Sequence, residues 1–177
     1  MFKRKLSILY AFLVRSVTYF LPDIPLFMRF RGALYSVMMK SSGSNFQVAH
    51  SVILNSISKL EVGSNVYIAN NCSLLCGGGV SIDCNVMLAP GVVISSDNHT
   101  YTDDGGYRFG EAIFSMVEIH KNSWICANSV IVSGSIILEG TIIGPGSTCI
   151  KGAVQESHSL YSGVPVKFIK SLDGVKE

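Results

Sequence analysis

The sequence of 177 residues has little charge and a single tryptophan. Charged residues make up 15% of the chain, against roughly 25% in a typical soluble domain, while apolar residues reach 48% and the mean hydropathy is +0.40. Intrinsic disorder is excluded, because it needs low hydrophobicity and high charge. A net charge of +2 also argues against a nucleic-acid partner, since it leaves no strongly basic surface for phosphate. So little charge on one domain indicates a surface that is covered by other subunits or lies near lipid.

The cysteines are irregularly spaced. The five cysteines are an odd number, and no two of them have CxxC spacing: Cys72, Cys76, Cys84, Cys126 and Cys149. Neither a disulfide framework nor a zinc site is therefore expected. The pattern is typical of small buried thiols in a reducing compartment, which predicts a cytoplasmic protein.

Residues 1–44 are predicted to form a helical N-terminal segment. The apolar run Leu6–Leu21 is interrupted by Arg15, is too short to span a bilayer, and has no small-residue cleavage site after it. Six apolar residues recur at helical spacing: Leu6, Leu9, Tyr10, Leu13, Val17 and Phe20. The pattern predicts an amphipathic helix, ended by Pro22 and Pro25, that either lies on a membrane surface or packs against protein.

A six-residue period runs through the rest of the chain. Apolar residues recur at Val62, Ile68, Ile82, Leu88, Ile119, Ile125, Ile131, Ile137 and Ile143. Three places after each stands Asn or Gly: Asn65, Asn71, Asn85, Gly91, Asn122, Asn128, Gly134, Gly140 and Gly146. These two residue types enter the left-handed backbone region at least cost, so the period predicts a corner every six residues. The β-branched residues between corners favour short strands.

Short strands joined by regular corners predict a mainly β fold, a parallel β-helix over residues 45–155 with about 18 residues per turn. Gly77–Gly79 breaks the period and predicts a small bulge. Residues 95–116 are polar and aromatic and lie outside the period, so they are expected to project as a loop, where function is often placed. Residues 156–177 form a C-terminal closing segment.

These motifs resemble the hexapeptide-repeat acyltransferases, which include maltose and galactoside acetyltransferases and capsule and lipopolysaccharide O-acetyltransferases. The resemblance covers about residues 48–170, and its most specific parts are IDCNVMLAPGVVISSDNH, NSWICANSVI, IIGPGSTCIKGAV and YSGVPVKFIK. It implies a left-handed coil, a homotrimer with active sites between subunits, and acetyl-CoA as co-substrate, with no metal.

The resemblance also implies roles for single residues. His99, at the start of the projecting loop, corresponds to the general base, and imidazole suits proton transfer at neutral pH. The backbone N–H of Ala127 corresponds to the oxyanion donor. The CoA-binding positions are Trp124, Pro145, Gly146, Lys151, Gly163, Pro165 and Lys167. Asp97, Tyr101, Asp103 and Tyr107 have side chains suited to a sugar acceptor, although the same residues could simply order the loop.

The function expected is therefore acetyl-CoA-dependent O-acetylation of a saccharide in surface-polysaccharide biosynthesis, at the inner face of the membrane. Three alternatives stay open. The first is N-acetylation of an amino sugar on the same fold, and the second is a non-catalytic trimeric scaffold. The third, a γ-type carbonic anhydrase, is disfavoured because His99, His120 and His158 lack the close HxxxxH pairing of its zinc ligands.

Overall fold

Three parallel sheets wind around one apolar core in the computed structural model, which describes residues 2–172. Met1 and the end of the predicted closing segment, residues 173–177, lie outside the described residues. Sheet A contains β1 (Ser41–Ser42), β4 (Leu60–Val62), β7 (Val80–Ile82), β12 (Val117–Ile119) and β15 (Ile136–Ile137). Sheet B contains β2 (Gln47–Val48), β5 (Tyr67–Ile68), β8 (Met87–Leu88), β13 (Trp124–Ile125), β16 (Ile142–Ile143), β18 (Ser159–Gly163) and β19 (Val166–Ser171). Sheet C contains β3 (Ile53–Asn55), β6 (Ser73–Leu75), β9 (Val93–Ser95), β14 (Val130–Ile131) and β17 (Thr148–Cys149). The predicted parallel β-helix is confirmed, with β19 pairing antiparallel to β18 at its end.

The nine predicted corners are bent as expected. Backbone φ lies between 58° and 79° at all of them, from Asn65 to Gly146. Along the edge where sheet A gives way to sheet B, side-chain amides also bond from turn to turn at 3.0–3.1 Å, in the ladder Asn45, Asn65, Asn85 and Asn122. Asparagine therefore contributes twice at this edge, through its backbone conformation and through its side chain.

The apolar column is buried along its whole length. Its nine residues, from Val62 to Ile143, are at most 4% exposed. Val62, Ile82, Ile119 and Ile137 lie in register from strand to strand within sheet A. Burial of each such side chain contributes roughly 1.5–3 kcal/mol, so the column is the main source of the coil's stability.

The first turns of the coil are longer than predicted. Twenty residues separate Val48 from its partner Ile68, whereas eighteen separate Ile125 from Ile143. The extra residues lie at the edge where sheet C gives way to sheet A, in a 3₁₀ turn at Ile57–Lys59 and in the predicted bulge at Gly77–Gly79. The projecting loop leaves the coil at this same edge one turn later, so we call it the loop edge.

Two helices precede the coil, α1 (Phe2–Thr18) and α2 (Pro25–Ser36). The side chains that α1 buries are small: Ser7, Ala11, Val14 and Thr18, none more than 6% exposed. The predicted apolar stripe faces outward instead, with Leu6, Leu9, Leu13, Val17 and Phe20 between 44% and 90% exposed. The side of α1 that faces the coil carries small residues because they let the helix approach the 3₁₀ turn closely. Ser7 Oγ lies 3.4 Å from Ser58 Oγ. None of the described helices has the length and apolar character needed to cross a membrane.

Asp23 joins the two helices to the coil. Its carboxylate accepts hydrogen bonds from Arg31 Nη1 at 2.7 Å, from the backbone N–H of His50 at 2.9 Å and from Asn70 Nδ2 at 2.8 Å. His50 Nδ1 lies 2.6 Å from the same carboxylate. Burial alone would raise the pKa of Asp23, but the hydrogen bonds from His50 and Asn70 and the charge of Arg31 outweigh it and hold the pKa below its ordinary value.

Asp23→Asn is expected to lower the free energy of unfolding by about 2 kcal/mol, because it leaves the buried guanidinium of Arg31 without its carboxylate. Since the pKa of Asp23 is lower in the folded chain, its stabilisation is complete above about pH 4 and is lost as the pH falls further. Denaturant unfolding at pH 7 and pH 3 checks both points. The control is Glu139→Gln, which breaks an exposed pair with Lys121 and should cost less than about 1 kcal/mol. An Asp23→Asn deficit that persists undiminished at pH 3 would contradict the assignment.

Candidate active site

The projecting loop is a β-hairpin that carries His99. Its strands β10 (Asp97–His99) and β11 (Ala112–Phe114) pair antiparallel, and a short helix α3 (Gly106–Phe109) lies at the tip. His99 stands opposite Ala112 and is exposed. Its backbone N–H donates to Asn98 Oδ1 at 2.8 Å. The imidazole therefore lies on a narrow two-stranded ribbon, opposite the small side chain of Ala112, where a substrate can reach it.

Asp97 fixes the base of this hairpin. Its carboxylate accepts hydrogen bonds from the backbone N–H of Gly78 and from Ser96 Oγ, both at 3.2 Å. A Cβ on Gly77 would lie 2.4 Å from both carboxylate oxygens, so only glycine leaves room for this contact. Sequence analysis placed Asp97 with the acceptor residues or among those that order the loop. The structure instead shows it bound to the preceding turn of the coil, 19 residues earlier in the chain.

Phe114, opposite Asp97 in the hairpin, lies between two cations. Lys59 Nζ is 5.3 Å and Arg4 Cζ 5.7 Å from the centre of its ring. Lys59 also donates to the Gly77 carbonyl at 2.6 Å. These contacts tie the hairpin to α1 and to the 3₁₀ turn, and sequence reasoning missed them. The three consecutive glycines were the only local signal of a close approach here.

The proposed acceptor residues lie at the hairpin tip. Tyr101 and Tyr107 make an edge-to-face contact with ring centres 5.4 Å apart and are both more than 60% exposed. Asp103 is exposed beside them. Two accessible rings and a carboxylate can stack on and hydrogen-bond a saccharide.

Trp124 lies on the outer face of sheet B. Its neighbours in register are Met87 and Ile142, and its side chain is 41% exposed. An indole that is half accessible and flanked by apolar side chains forms a flat surface on which an acyl-pantetheine chain can pack.

Ala127 stands at the edge where sheet B gives way to sheet C, which we call the donor edge. Its carbonyl accepts from the N–H of Gly146 at 2.9 Å, whereas its own N–H has no acceptor within residues 2–172. The equivalent positions in the adjacent turns are Pro90 and Pro145, which have no N–H at all. The coil therefore does not need a donor at this position, and the N–H of Ala127 is available to a ligand.

The remaining CoA candidates are divided between the same two edges. Gly163 N–H donates to Ser147 Oγ at 3.0 Å, which places the turn containing Gly163 and Pro165 near the donor edge. Lys167 follows in β19, opposite Ser162. Lys151 lies at the loop edge, where its methylene groups are the nearest neighbours of Gly134.

The other histidines and the cysteines do not form a second candidate site for metal binding or nucleophilic catalysis among the described residues. His50 is bound to Asp23. His120 and His158 lie at the edge between sheets A and B, across sheet A from the hairpin. Among the described residues, no group of three or more His, Cys, Asp or Glu could hold a metal ion. All five thiols are free. Burial raises the pKa of Cys72 and Cys149 to about 11, so neither thiol ionises readily as a nucleophile.

Comparison with known proteins agrees with this description. Residues 116–151 match the model of the bacterial transferase hexapeptide, six repeats. A search of curated protein sequences finds no significant match.

Several solved structures share the fold. A galactoside acetyltransferase in complex with coenzyme A superposes with a TM-score of 0.83 at 24% identity, over 96% of this chain and 82% of that one. A maltose O-acetyltransferase from Clostridium difficile 630 gives 0.79 at 23%, over 96% and 88%. An N-acyltransferase from Bacillus cereus in complex with dTDP and coenzyme A gives 0.61 at 19%, over 81% and 89%. Residues 116–151 are therefore similar to the bacterial transferase hexapeptide repeats, and the chain shares the fold of these solved structures, a left-handed parallel β-helix.

Proposed function

We propose that the protein is an acetyl-CoA-dependent O-acetyltransferase that acts on a sugar hydroxyl in surface-polysaccharide biosynthesis. The observation that carries the proposal is the exposed imidazole of His99 on a hairpin that projects from a hexapeptide coil. Similar folds belong to a maltose O-acetyltransferase and to a galactoside acetyltransferase, the second solved in complex with coenzyme A.

The mechanism is a direct transfer in which the chain supplies a base and a hydrogen-bond donor. His99 removes the proton from the acceptor hydroxyl as its oxygen attacks the thioester carbonyl of acetyl-CoA. The N–H of Ala127 stabilises the resulting oxyanion. When the carbon–sulfur bond breaks, the imidazolium of His99 returns its proton to the CoA sulfur. The buried thiols of Cys72, Cys76 and Cys149 take no part, which agrees with their raised pKa values.

Acetyl-CoA is proposed to lie along the outer face of sheet B and the donor edge. Trp124 packs on the pantetheine, and Pro145, Gly146, Gly163 and Pro165 line its path. Lys167 neutralises phosphate as a point charge, without the bidentate geometry of arginine, and Lys151, at the loop edge, does so from the adjacent protomer.

The proposed assembly is a homotrimer with shared sites, and the positions of these residues support a site shared between copies. His99 projects from the loop edge, whereas Ala127 and Gly146 lie at the donor edge, and sheet C separates the two edges within one chain. A second copy can bring its donor edge next to the hairpin of the first. The proposed site is then complete only between two protomers.

The acceptor is proposed to bind at the hairpin tip through Tyr101, Asp103 and Tyr107. We assign Asp97 to holding the hairpin, because its carboxylate already accepts two hydrogen bonds from the coil. An amino sugar is the alternative acceptor, favoured by the similarity to the N-acyltransferase from Bacillus cereus. A trimeric scaffold without activity would instead leave any phenotype unchanged when His99 is replaced.

The test is a mass-shift screen of saccharides and nucleotide sugars with acetyl-CoA, in which each hydroxyl sugar is paired with its amino-sugar counterpart. We expect one acetyl group to be added to a hydroxyl sugar, with release of free CoA thiol. The product should lose its acetyl group in mild base, because an ester hydrolyses there and an amide does not. A base-stable product would favour N-acetylation, and no product in any pair would contradict the proposed function.

The proposed location is the cytoplasm, at the inner face of the membrane. Its support is the free state of all five thiols and the apolar N-terminal surface described next.

A further inference from the structure

Both N-terminal helices leave an apolar stripe uncovered. In α1 the exposed Leu6, Leu9, Leu13 and Val17 lie on the side opposite to its buried residues, given 3.6 residues per turn. Phe20, just beyond the helix, is 90% exposed.

The second helix repeats the arrangement. Leu26, Phe30, Ala33 and Val37, spaced by three or four residues, are all exposed, and the first and last of them are more than 60% accessible. The opposite side of α2 is buried in the coil through Met28, Arg31 and Tyr35. Contiguous exposed apolar stripes of this size are rare on a soluble surface without a partner.

Charge is distributed very unevenly along the chain. Residues 1–60 contain eight Lys and Arg but a single acid, Asp23, whereas residues 61–177 contain six Lys and Arg and eleven acids. Asp23 is already paired with Arg31. In the part of the chain that the structure describes, the cations Arg4, Lys5, Arg15 and Arg29 have no carboxylate partner. The N-terminal surface with the apolar stripes therefore belongs to the part of the chain that carries the unbalanced positive charge, with Lys5 and Arg29 exposed and Arg4 bound to Ser56.

We infer that α1 and α2 dock this surface on a membrane of anionic phospholipids, a partner that deepens the location proposed above and rests on it. Exposed apolar side chains on a helical segment with unbalanced positive charge match the boundary between acyl chains and anionic headgroups. Symmetric pairing of the same surface in two copies would instead oppose like charges. A nucleic acid would satisfy the cations but leave the apolar stripes in water.

The docking surface borders the hairpin. Arg4, on α1, also contacts the ring of Phe114 in the strand opposite β10. A docked chain therefore holds the hairpin that carries His99 close to the headgroups.

The experiment is co-sedimentation of the full chain with two kinds of vesicle, phosphatidylcholine alone and an equal mixture of phosphatidylcholine with phosphatidylglycerol. We expect binding to the anionic vesicles, weakening as salt rises. The double variant Leu13→Ser with Val17→Ser should weaken it by about tenfold or more. Lys5→Glu with Arg29→Glu should weaken it on anionic vesicles to a similar degree. The matched controls, Ile136→Ser and Lys170→Glu, change exposed residues of the coil and should bind like wild type.

Three outcomes would overturn the inference. The first is no binding to either vesicle, and the second is equal binding by the wild type and both N-terminal variants. The third is that the double variant Leu13→Ser with Val17→Ser changes the oligomeric state, measured by sedimentation velocity, while the protein does not bind vesicles. The stripe would then be a protein interface. Acetylation of a soluble sugar, measured on the same preparations, reports separately on the proposed activity and needs no vesicle.

Discussion

His99→Ala is expected to lower turnover by roughly 10²–10⁴, the range for removing a general base, while acetyl-CoA binding stays nearly unchanged. The physical reason is that a sugar hydroxyl is a poor nucleophile until its proton is removed, and the structure places no other histidine on the hairpin. His99 is exposed and opposite Ala112, so its removal leaves no cavity in the core. Steady-state kinetics with saturating acetyl-CoA, alongside direct titration of CoA binding, separates the two effects.

The control for this prediction is His120→Ala. His120 lies at the edge between sheets A and B, away from the hairpin, and its backbone N–H donates to the Ile137 carbonyl at 2.9 Å, a bond that the substitution keeps. Its turnover should match the wild type. If His99→Ala stayed within severalfold of the wild type, the base would have to be another group and the proposed mechanism would be wrong.

The coil could be predicted from sequence because each of its signals is local. A corner needs one residue in the left-handed region, and a strand needs one inward apolar side chain, so both recur with the period. The two longer turns were not predictable from the same rule. Their extra residues belong to the 3₁₀ turn at Ile57–Lys59 and to the glycine bulge, both at the edge from which the hairpin later projects.

The packing of α1 shows where amphipathic reasoning fails. The helix has one strongly apolar stripe, and burial of that stripe would be the default expectation for a helix on its own domain. The coil instead receives Ser7, Ala11, Val14 and Thr18, because close approach to the 3₁₀ turn favours small side chains. In this chain α1 packs on its own domain through small side chains, while its apolar stripe stays exposed.

Sequence motifs indicated the candidate residues one by one, but they did not predict how these residues are arranged in space. The motifs identified His99, Trp124 and Ala127 through resemblance, yet nothing in their spacing separates the loop edge from the donor edge. The contact of Asp97 with Gly78 is also invisible in the sequence, because its partners come from successive turns of the coil. Geometry between turns, and between protomers, is what local patterns leave undetermined.

Ala127→Pro is expected to lower turnover by about 10²–10³, the usual effect of losing one oxyanion donor. Proline removes only the N–H, and the coil accepts it at this position because Pro90 and Pro145 occupy the equivalent places in the adjacent turns. The thermal midpoint of unfolding should therefore stay close to that of the wild type. Ala127→Ser, which keeps the backbone N–H, is the matched control and should retain nearly full turnover.

Mixing the two inactive variants tests whether the site is shared. If His99 and Ala127 act from different protomers, trimers reassembled from equal amounts of His99→Ala and Ala127→Pro chains contain some sites with both groups intact. Random assembly should then restore about a quarter of the wild-type turnover. If both groups of a site came from one chain, no mixed trimer would hold an intact site, and the mixture would stay as inactive as its components. Recovery would therefore support the proposal that the loop edge of one protomer and the donor edge of another form one site.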